Sequence, residues 1–168
     1  FAYSMFGRNY FIGENDLNDM LPDGIHLLVR PSFVWKDEFW VGLIRIFGRD
    51  GTRFIRGLEP IAPSMKRANL TPITSREYRG CVFKSNEALS FLYATRMPNT
   101  VLGVDHFSTR SWSSHGCLMG RCMLMSNANP IGKNVVPIIL QPLEQSTTEI
   151  LQAARKTGFR AISEIPSR

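Results

Sequence analysis

The alternation of apolar and polar residues predicts a β-hairpin in the first half of the chain. Apolar and β-forming residues dominate 40–47 and 52–56, and short runs of this kind are typical of strands. Between them stands the pair Asp50-Gly51, which favours a tight turn when β-forming residues flank it. We therefore expect an antiparallel hairpin over residues 40–56.

Other segments predict further strands and three helices. The strands cover 25–29, 77–84, 100–104, 134–140 and 159–165, with short extended pieces at 1–6 and 10–12. The helices cover 14–21, 85–96 and 146–156, and Ser85 would cap the second. Ser146 and Glu149 form an S-x-x-E capping box, and Gly158 follows the end of that helix. The proline-containing segment 59–76 predicts a loop.

The order of these elements indicates the fold class. A strand, a helix and a strand at the end of the chain, preceded by a hairpin, favour an α+β (mixed α/β) topology. The 168 residues fit one domain, 1–168, and the sequence contains no internal repeat.

Composition narrows the class of protein. The chain is 43% hydrophobic and 20% charged, which is ordinary usage for a globular domain and argues against disorder. The longest apolar run, 135–140, is far shorter than the roughly 20 residues of a membrane helix. The cysteines, Cys81, Cys117 and Cys122, are odd in number and follow no disulfide framework. We therefore expect no membrane span and a cytoplasmic location.

The positive charge is concentrated in one stretch. Residues 30–84 hold eleven basic and five acidic side chains, which accounts for the whole net charge of +6. This footprint favours an anionic partner such as DNA, and the alternative is a solvated basic face without a ligand. On the hairpin, basic side chains could contact DNA, or could keep an edge strand from pairing with another chain. The predicted nucleic-acid-binding residues are Arg45, Arg49, Arg53, Arg56, Lys66 and Arg67.

A second constellation of polar residues follows the strand predicted at 100–104. Asp105 offers a carboxylate that a divalent metal such as Mg²⁺ would prefer, and His106 or His115 could move a proton near neutral pH. Arg110 and Arg121 could stabilise charge on a phosphoryl group in the transition state. We therefore predict a catalytic loop over 105–121. The alternative is a polar loop whose side chains satisfy its own backbone.

Weaker patterns leave other chemistry open. His115, Cys117 and Cys122 could bind zinc, and Cys117 could pair with a histidine as a nucleophile. The sequence has no Walker or Rossmann glycine motif, so ATP would need another kind of site. The three tryptophans could stack on bases, although packing in the core is the alternative.

Three segments carry a resemblance to a known class of proteins. They are Phe-Ala-Tyr-Ser-Met-Phe-Gly-Arg at the start, Phe-Gly-Arg-Asp-Gly-Thr-Arg-Phe-Ile-Arg-Gly in the hairpin, and Thr-Arg-Ser-Trp-Ser-Ser-His-Gly-Cys. In these the chain resembles plasmid fertility-inhibition proteins of the ParB/sulfiredoxin class. The resemblance implies a ParB/sulfiredoxin-like single domain that inhibits conjugative DNA transfer. It also implies ATPase and DNase activities at the coupling protein of a type IV secretion system.

The phosphate loop of that class is only partly present. The nearest match, Arg79-Gly80-Cys81-Val82-Phe83, lacks the second glycine, the histidine and the arginine of the Gly-Gly-Cys-His-Arg pattern. Two hypotheses follow from the sequence. One is an enzyme that uses ATP and a divalent metal to cleave DNA, and the other is an inhibitor that binds DNA or a secretion component through its basic face.

Overall fold

The structure is a computed structural model that describes residues 21–60, 76–85, 87–95, 101–109, 116–125 and 134–164. The elements in this part of the chain are mostly strands. They are β1 (Gly24–Pro31), β2 (Glu38–Arg49), β3 (Thr52–Leu58), β4 (Glu77–Ser85), β5 (Ala88–Thr95), β6 (Leu102–Ser108), β7 (Leu118–Met125), β8 (Val135–Pro142), the helix α1 (Thr147–Arg155), β9 (Gly158–Ala161) and a 3₁₀ turn at Ile162–Glu164.

The first eight strands form a closed antiparallel barrel. Each of them pairs with the next along the chain, and β1 also pairs with β8, from His26 opposite Pro142 to Val29 opposite Ile139. This up-and-down order closes the sheet on itself, so that strands β1 to β8 each have a partner on both sides. β9 pairs with the start of β2, Glu38–Val41, which lies beyond the reach of β3.

The predicted hairpin is confirmed. β2 and β3 are antiparallel, and Arg49 lies opposite Thr52. Asp50 and Gly51 between them both have positive φ, 51° and 70°. Two consecutive left-handed residues are the geometry of a type I′ turn, whose twist matches that of the strands.

The barrel interior is packed with side chains. Residues alternate between the inside and the outside of the wall, and the inward positions form one buried cluster. Two inward glycines make room for large rings, because a Cβ at Gly57 would overlap the ring of Tyr78 and one at Gly103 the ring of Tyr93. The core therefore combines aromatic rings with bare backbone on the neighbouring strand.

The predicted α+β, ParB/sulfiredoxin-like fold is wrong. The described residues form a closed eight-stranded antiparallel barrel with one short α-helix. A ParB/sulfiredoxin-like domain needs several helices, but most segments here alternate with a period of two and pair into the barrel. The prediction gave the terminal strand–helix–strand more weight than the strands before it.

The helix predicted over 85–96 is also wrong. β4 ends at Ser85 and β5 begins at Ala88, so most of this segment is the second strand of an antiparallel hairpin. Leu89, Phe91 and Tyr93 point into the barrel and are nearly inaccessible. Ala88, Leu92 and Ala94, on outward positions of the strand, are apolar as well, which hid this period of two and produced a broad apolar face on a helical projection.

The polar stretch 105–121 is not one long loop. β6 continues through Ser108, and β7 begins at Leu118. Asp105, His106 and Arg121 therefore lie on strands. The inward Asp105 interrupts the apolar pattern of β6, which made the strand look as though it ended at residue 104.

The last predicted helix is confirmed, with its cap. The Ser146 hydroxyl accepts a hydrogen bond from the Glu149 backbone N–H at 3.2 Å, and Gly158 has φ 127°. The helix lies against the outer face of β2, and Ala153 is its buried residue. Among the residues described, no helix has both the length and the hydropathy to span a bilayer. The elements predicted at 1–6 and 10–12, and 14–21 except for Leu21, lie outside the described residues.

Candidate nucleic-acid interface

The four arginines of the hairpin occupy three different environments. Arg45 and Arg56 lie directly opposite each other on the outer face and are exposed. Arg49, beside the turn, makes a 3.3 Å ion pair with Asp50. Arg53 points inward, with a side chain only 4% exposed, and forms an ion pair with Asp23. The structure therefore leaves Arg53 out of any contact with an external polymer.

A third arginine extends the outer pair onto the next strand. Arg79 of β4 is the cross-strand partner of Arg56, as Arg45 is on the other side. Neighbouring strands lie about 4.8 Å apart, so the three guanidinium groups belong to one short line across β2, β3 and β4. We call Arg45, Arg56 and Arg79 the arginine row.

A buried carboxylate lies within the row. Glu77, whose side chain is 6% exposed, accepts a hydrogen bond from Nε of Arg56 and one of 2.9 Å from Nη2 of Arg79. The hydrogen bonds from Arg79 and then Arg56 hold the pKa of Glu77 below its ordinary value. Glu77 therefore orients two guanidinium groups whose side chains remain more than half exposed. The row and this acid together keep a formal charge of +2.

Two aromatic rings lie beside the row on the same face. Phe47 and Phe54 are cross-strand partners with ring centroids 5.8 Å apart and an interplanar angle of 30°. Each is two residues along its strand from an arginine of the row, so it shares that arginine's side of the wall. The Cζ of Arg45 lies 5.4 Å from the centre of the Phe47 ring. We call Phe47 and Phe54 the phenylalanine pair.

On the other side of the row lies a groove of ≈ 560 Å³ between α1 and the barrel wall. We call it the helix groove. Arg76 at its edge is held by a 2.7 Å hydrogen bond from Nη1 to the carbonyl of Glu59. The residues that line it are mostly apolar or basic: Ile25, Leu43, Ile44, Arg45, Arg56, Gly57, Leu58, Glu59, Pro60, Arg76, Glu77, Ile150, Ala154 and Thr157.

The structure does not bring Asp105 and His106 together. Asp105 lies inside the barrel, 1% exposed, and accepts a 3.1 Å hydrogen bond from the Tyr93 hydroxyl. Burial raises its pKa from 3.8 to about 6. His106 lies on the outside, with Nδ1 2.9 Å from Oγ of Ser90, and is the cross-strand partner of Arg121. Arg110 and His115 lie outside the described residues, as do Lys66 and Arg67.

The surroundings of Asp105 do not form a metal site in the described part of the chain. No group of three histidine, cysteine or acidic side chains that could hold an ion occurs there. The sulfur of Cys122 lies in the same interior, 3.6 Å from the Tyr93 hydroxyl, and burial raises the pKa of this thiol far above its ordinary value. A protonated thiol is a poor metal ligand and a poor nucleophile.

The barrel interior also holds a polar cluster that the sequence pattern did not reveal. The Arg30 guanidinium lies over the rings of Trp40 and Phe33, with Cζ 4.6 and 4.7 Å from their centroids. Trp40 donates a 2.8 Å hydrogen bond from Nε1 to Glu59. The cavity beside them is ≈ 10 Å³, so side chains fill this end of the barrel. In the in–out alternation of β1, Arg30 falls on an inward position, and this was the signal in the sequence that could have placed it inside the barrel.

The sequence pattern did not indicate that Arg79, Glu77 and the phenylalanine pair belong to one surface. Their proximity depends on the register of β3 against β2 and β4, which short-range patterns do not specify. Comparison with known protein families, with curated proteins and with solved structures finds no match to this chain. None of these comparisons identifies it as a fertility-inhibition protein or a ParB/sulfiredoxin domain.

Proposed function

We propose that this protein binds single-stranded nucleic acid on the outer face of β2, β3 and β4. The observation that carries the proposal is the placement of the phenylalanine pair next to the arginine row. Proteins that bind single strands without strict sequence preference combine a basic track for the backbone with aromatic rings on which bases stack.

The arginine row supplies the contacts to phosphate. Guanidinium groups donate paired hydrogen bonds to phosphate oxygens, and Glu77 already orients two of the three. Ordering these side chains before binding lowers the conformational entropy that binding would otherwise cost.

The phenylalanine pair favours a single strand over a duplex. In a duplex the faces of the bases stack on one another, whereas in a single strand they can stack on the rings of Phe47 and Phe54. The outer face of a closed barrel is also convex, and β2 is paired with β1 up to Ile46 while β3 is paired with β4 from Phe54, so the hairpin forms no long free ribbon that could enter a groove.

The proposed function is binding of nucleic acid without a catalysed reaction. Asp105 and His106 lie on opposite sides of the wall, which gives the predicted ATPase and DNase activities, with ATP and Mg²⁺, no support from the described residues. Inhibition of conjugative transfer at a type IV secretion coupling protein stays a prediction from resemblance. A cytoplasmic location fits the free thiols of Cys81 and Cys122.

Fluorescence anisotropy with a labelled oligothymidylate tests the proposal directly. We expect saturable binding that weakens as salt rises, with a slope of log K on log salt of about −0.7 per phosphate contacted. The same sequence annealed to its complement should bind more weakly. Equal affinity for both forms would remove the role of the phenylalanine pair, and no binding at low salt would overturn the proposal.

A further inference from the structure

The helix groove and the phenylalanine pair lie on opposite sides of the arginine row. Going along β2, Phe47, Arg45 and Leu43 share the outer face, and Leu43 lines the groove. Along β3 the corresponding residues are Phe54, Arg56 and Leu58, and Leu58 also lines the groove. A phosphate on Arg45 and Arg56 would therefore have an apolar surface on each side.

This order matches the covalent order of a nucleic-acid strand, in which each phosphate lies between two nucleosides. We propose that the helix groove is a nucleobase subsite, which takes the base on one side of the bound phosphate while the phenylalanine pair takes the base on the other. The inference rests on the proposed function and adds a second, separate contact to it.

The walls of the groove suit the flat apolar face of a base. Ile25, Leu43 and Leu58 come from the barrel, and Ile150 and Ala154 come from successive turns of α1. Its volume of ≈ 560 Å³ lies within the usual range of small-molecule pockets. Apolar side chains can cover both faces of a base that inserts between the helix and the sheet.

The charged residues around the helix groove also favour a nucleotide as its ligand. Arg45 and Arg56 border the groove where it meets the row, and Arg76 borders it as well. Three guanidinium groups against the carboxylates of Glu59 and Glu77 leave an excess of positive charge around an apolar space. A nucleotide, with an apolar base and an anionic phosphate, complements this arrangement.

Filling the groove tests the inference. Ala154→Phe places a ring between α1 and the wall, and Leu151→Phe is its control on the same helix, because Leu151 is 54% exposed and does not line the groove. The probes are a labelled oligothymidylate and an abasic deoxyribose-phosphate strand of equal length. We expect Ala154→Phe to weaken oligothymidylate binding about tenfold, on the scale of one lost base contact, and to leave abasic-strand binding unchanged.

The outcomes separate the two proposals. If wild-type protein binds neither strand, the proposed function fails. If wild type binds oligothymidylate and Ala154→Phe binds it equally well, or if the variant loses affinity for both strands alike, the groove is not a base subsite.

A second measurement does not depend on the folding of the variant. In wild-type protein, the methyl resonances of Ile150 and Ala154 should shift on titration with oligothymidylate and stay in place with the abasic strand. Identical spectra with both strands would overturn the inference.

Discussion

Arg45 and Arg56 are direct cross-strand partners on the outer face of the barrel, although the hairpin turn separates them in the sequence. Two like charges so placed repel each other unless an anion lies between them. Glu77 binds Arg56 and Arg79, which leaves the Arg45 side of the row positive. The pair is therefore where we expect the strongest contact with a phosphate.

Loss of this pair should weaken binding and its dependence on salt. In Arg45→Ala/Arg56→Ala, the slope of log K on log salt for a single strand should become shallower by about 1.4, since each lost contact contributes about 0.7. Arg121→Ala/Arg155→Ala removes the same charge from exposed positions outside β2, β3 and β4 and is the matched control. Anisotropy titrations at several salt concentrations measure both slopes, and equal slopes would show that the row is not the contact surface.

Loss of the phenylalanine pair should instead weaken binding without changing its dependence on salt. Phe47→Ala/Phe54→Ala should weaken oligothymidylate binding by about 1–3 kcal/mol for each base that stacks, with little change in salt slope. Affinity for an abasic strand should not change. If both strands lose affinity together, the rings only support the neighbouring arginines.

Asp105 should destabilise the fold as pH rises. Its pKa is raised by burial from 3.8 to about 6, so the folded protein binds this proton more tightly than the unfolded chain does. The free energy of unfolding therefore decreases as pH rises from 3.8 to about 6, by about 3 kcal/mol in all. Asp105→Asn should remove that loss, so that the variant gains relative to wild type from pH 4 to pH 6. Urea midpoints across this range measure it, and parallel curves would contradict the expected shift.

His26 should produce the reverse dependence. This imidazole is 1% exposed, near Arg53 and Asp23, and burial lowers its pKa from 6.5 to about 4. The unfolded chain therefore takes up the proton first, and stability falls as pH drops through this window, by about 3 kcal/mol. His26→Gln should remove this loss, so that the variant gains stability relative to wild type as pH drops from 6.5 to 4.

The two groups oppose each other in wild-type protein, so its stability should vary less with pH than that of either variant. The charges of Arg30 and Glu59 and a hydrogen bond from Cys122 also act on the pKa of Asp105, and they contribute to the same curve. The double variant Asp105→Asn/His26→Gln should restore a nearly flat profile. A steep profile in the double variant would show that other groups dominate the window.

Local signals predicted the parts of the fold that depend on neighbouring residues. The turn at Asp50 and Gly51 and the cap at Ser146 each follow from chemistry within a few residues. Closure of the barrel does not, because β1 pairs with β8 from the far end of the chain. The same limit applies to the site. Arg45 and Arg56 were predicted from charge, whereas Arg79 and Glu77 joined them only through the register of β4.

Tertiary context also reversed some predictions. Arg53 and Asp105 carry charges that predicted a surface role, but strand parity turns both inward. The sequence gives little warning of these inward positions, because β3 and β6 each have polar and apolar residues on both faces and therefore show no clear alternation. An ion pair with Asp23 offsets the burial of Arg53, and the hydrogen bond from Tyr93 does the same in part for Asp105.

The packed interior has an evolutionary consequence for the outer wall. Ile55 and Gly57 face the core from one side of β3, while Arg56 between them lies on the outer face and bonds Glu77 there. Outward positions can therefore change identity, one strand at a time, without opening a cavity or overfilling the core. Selection could retune what this wall binds while the barrel that carries it stays the same.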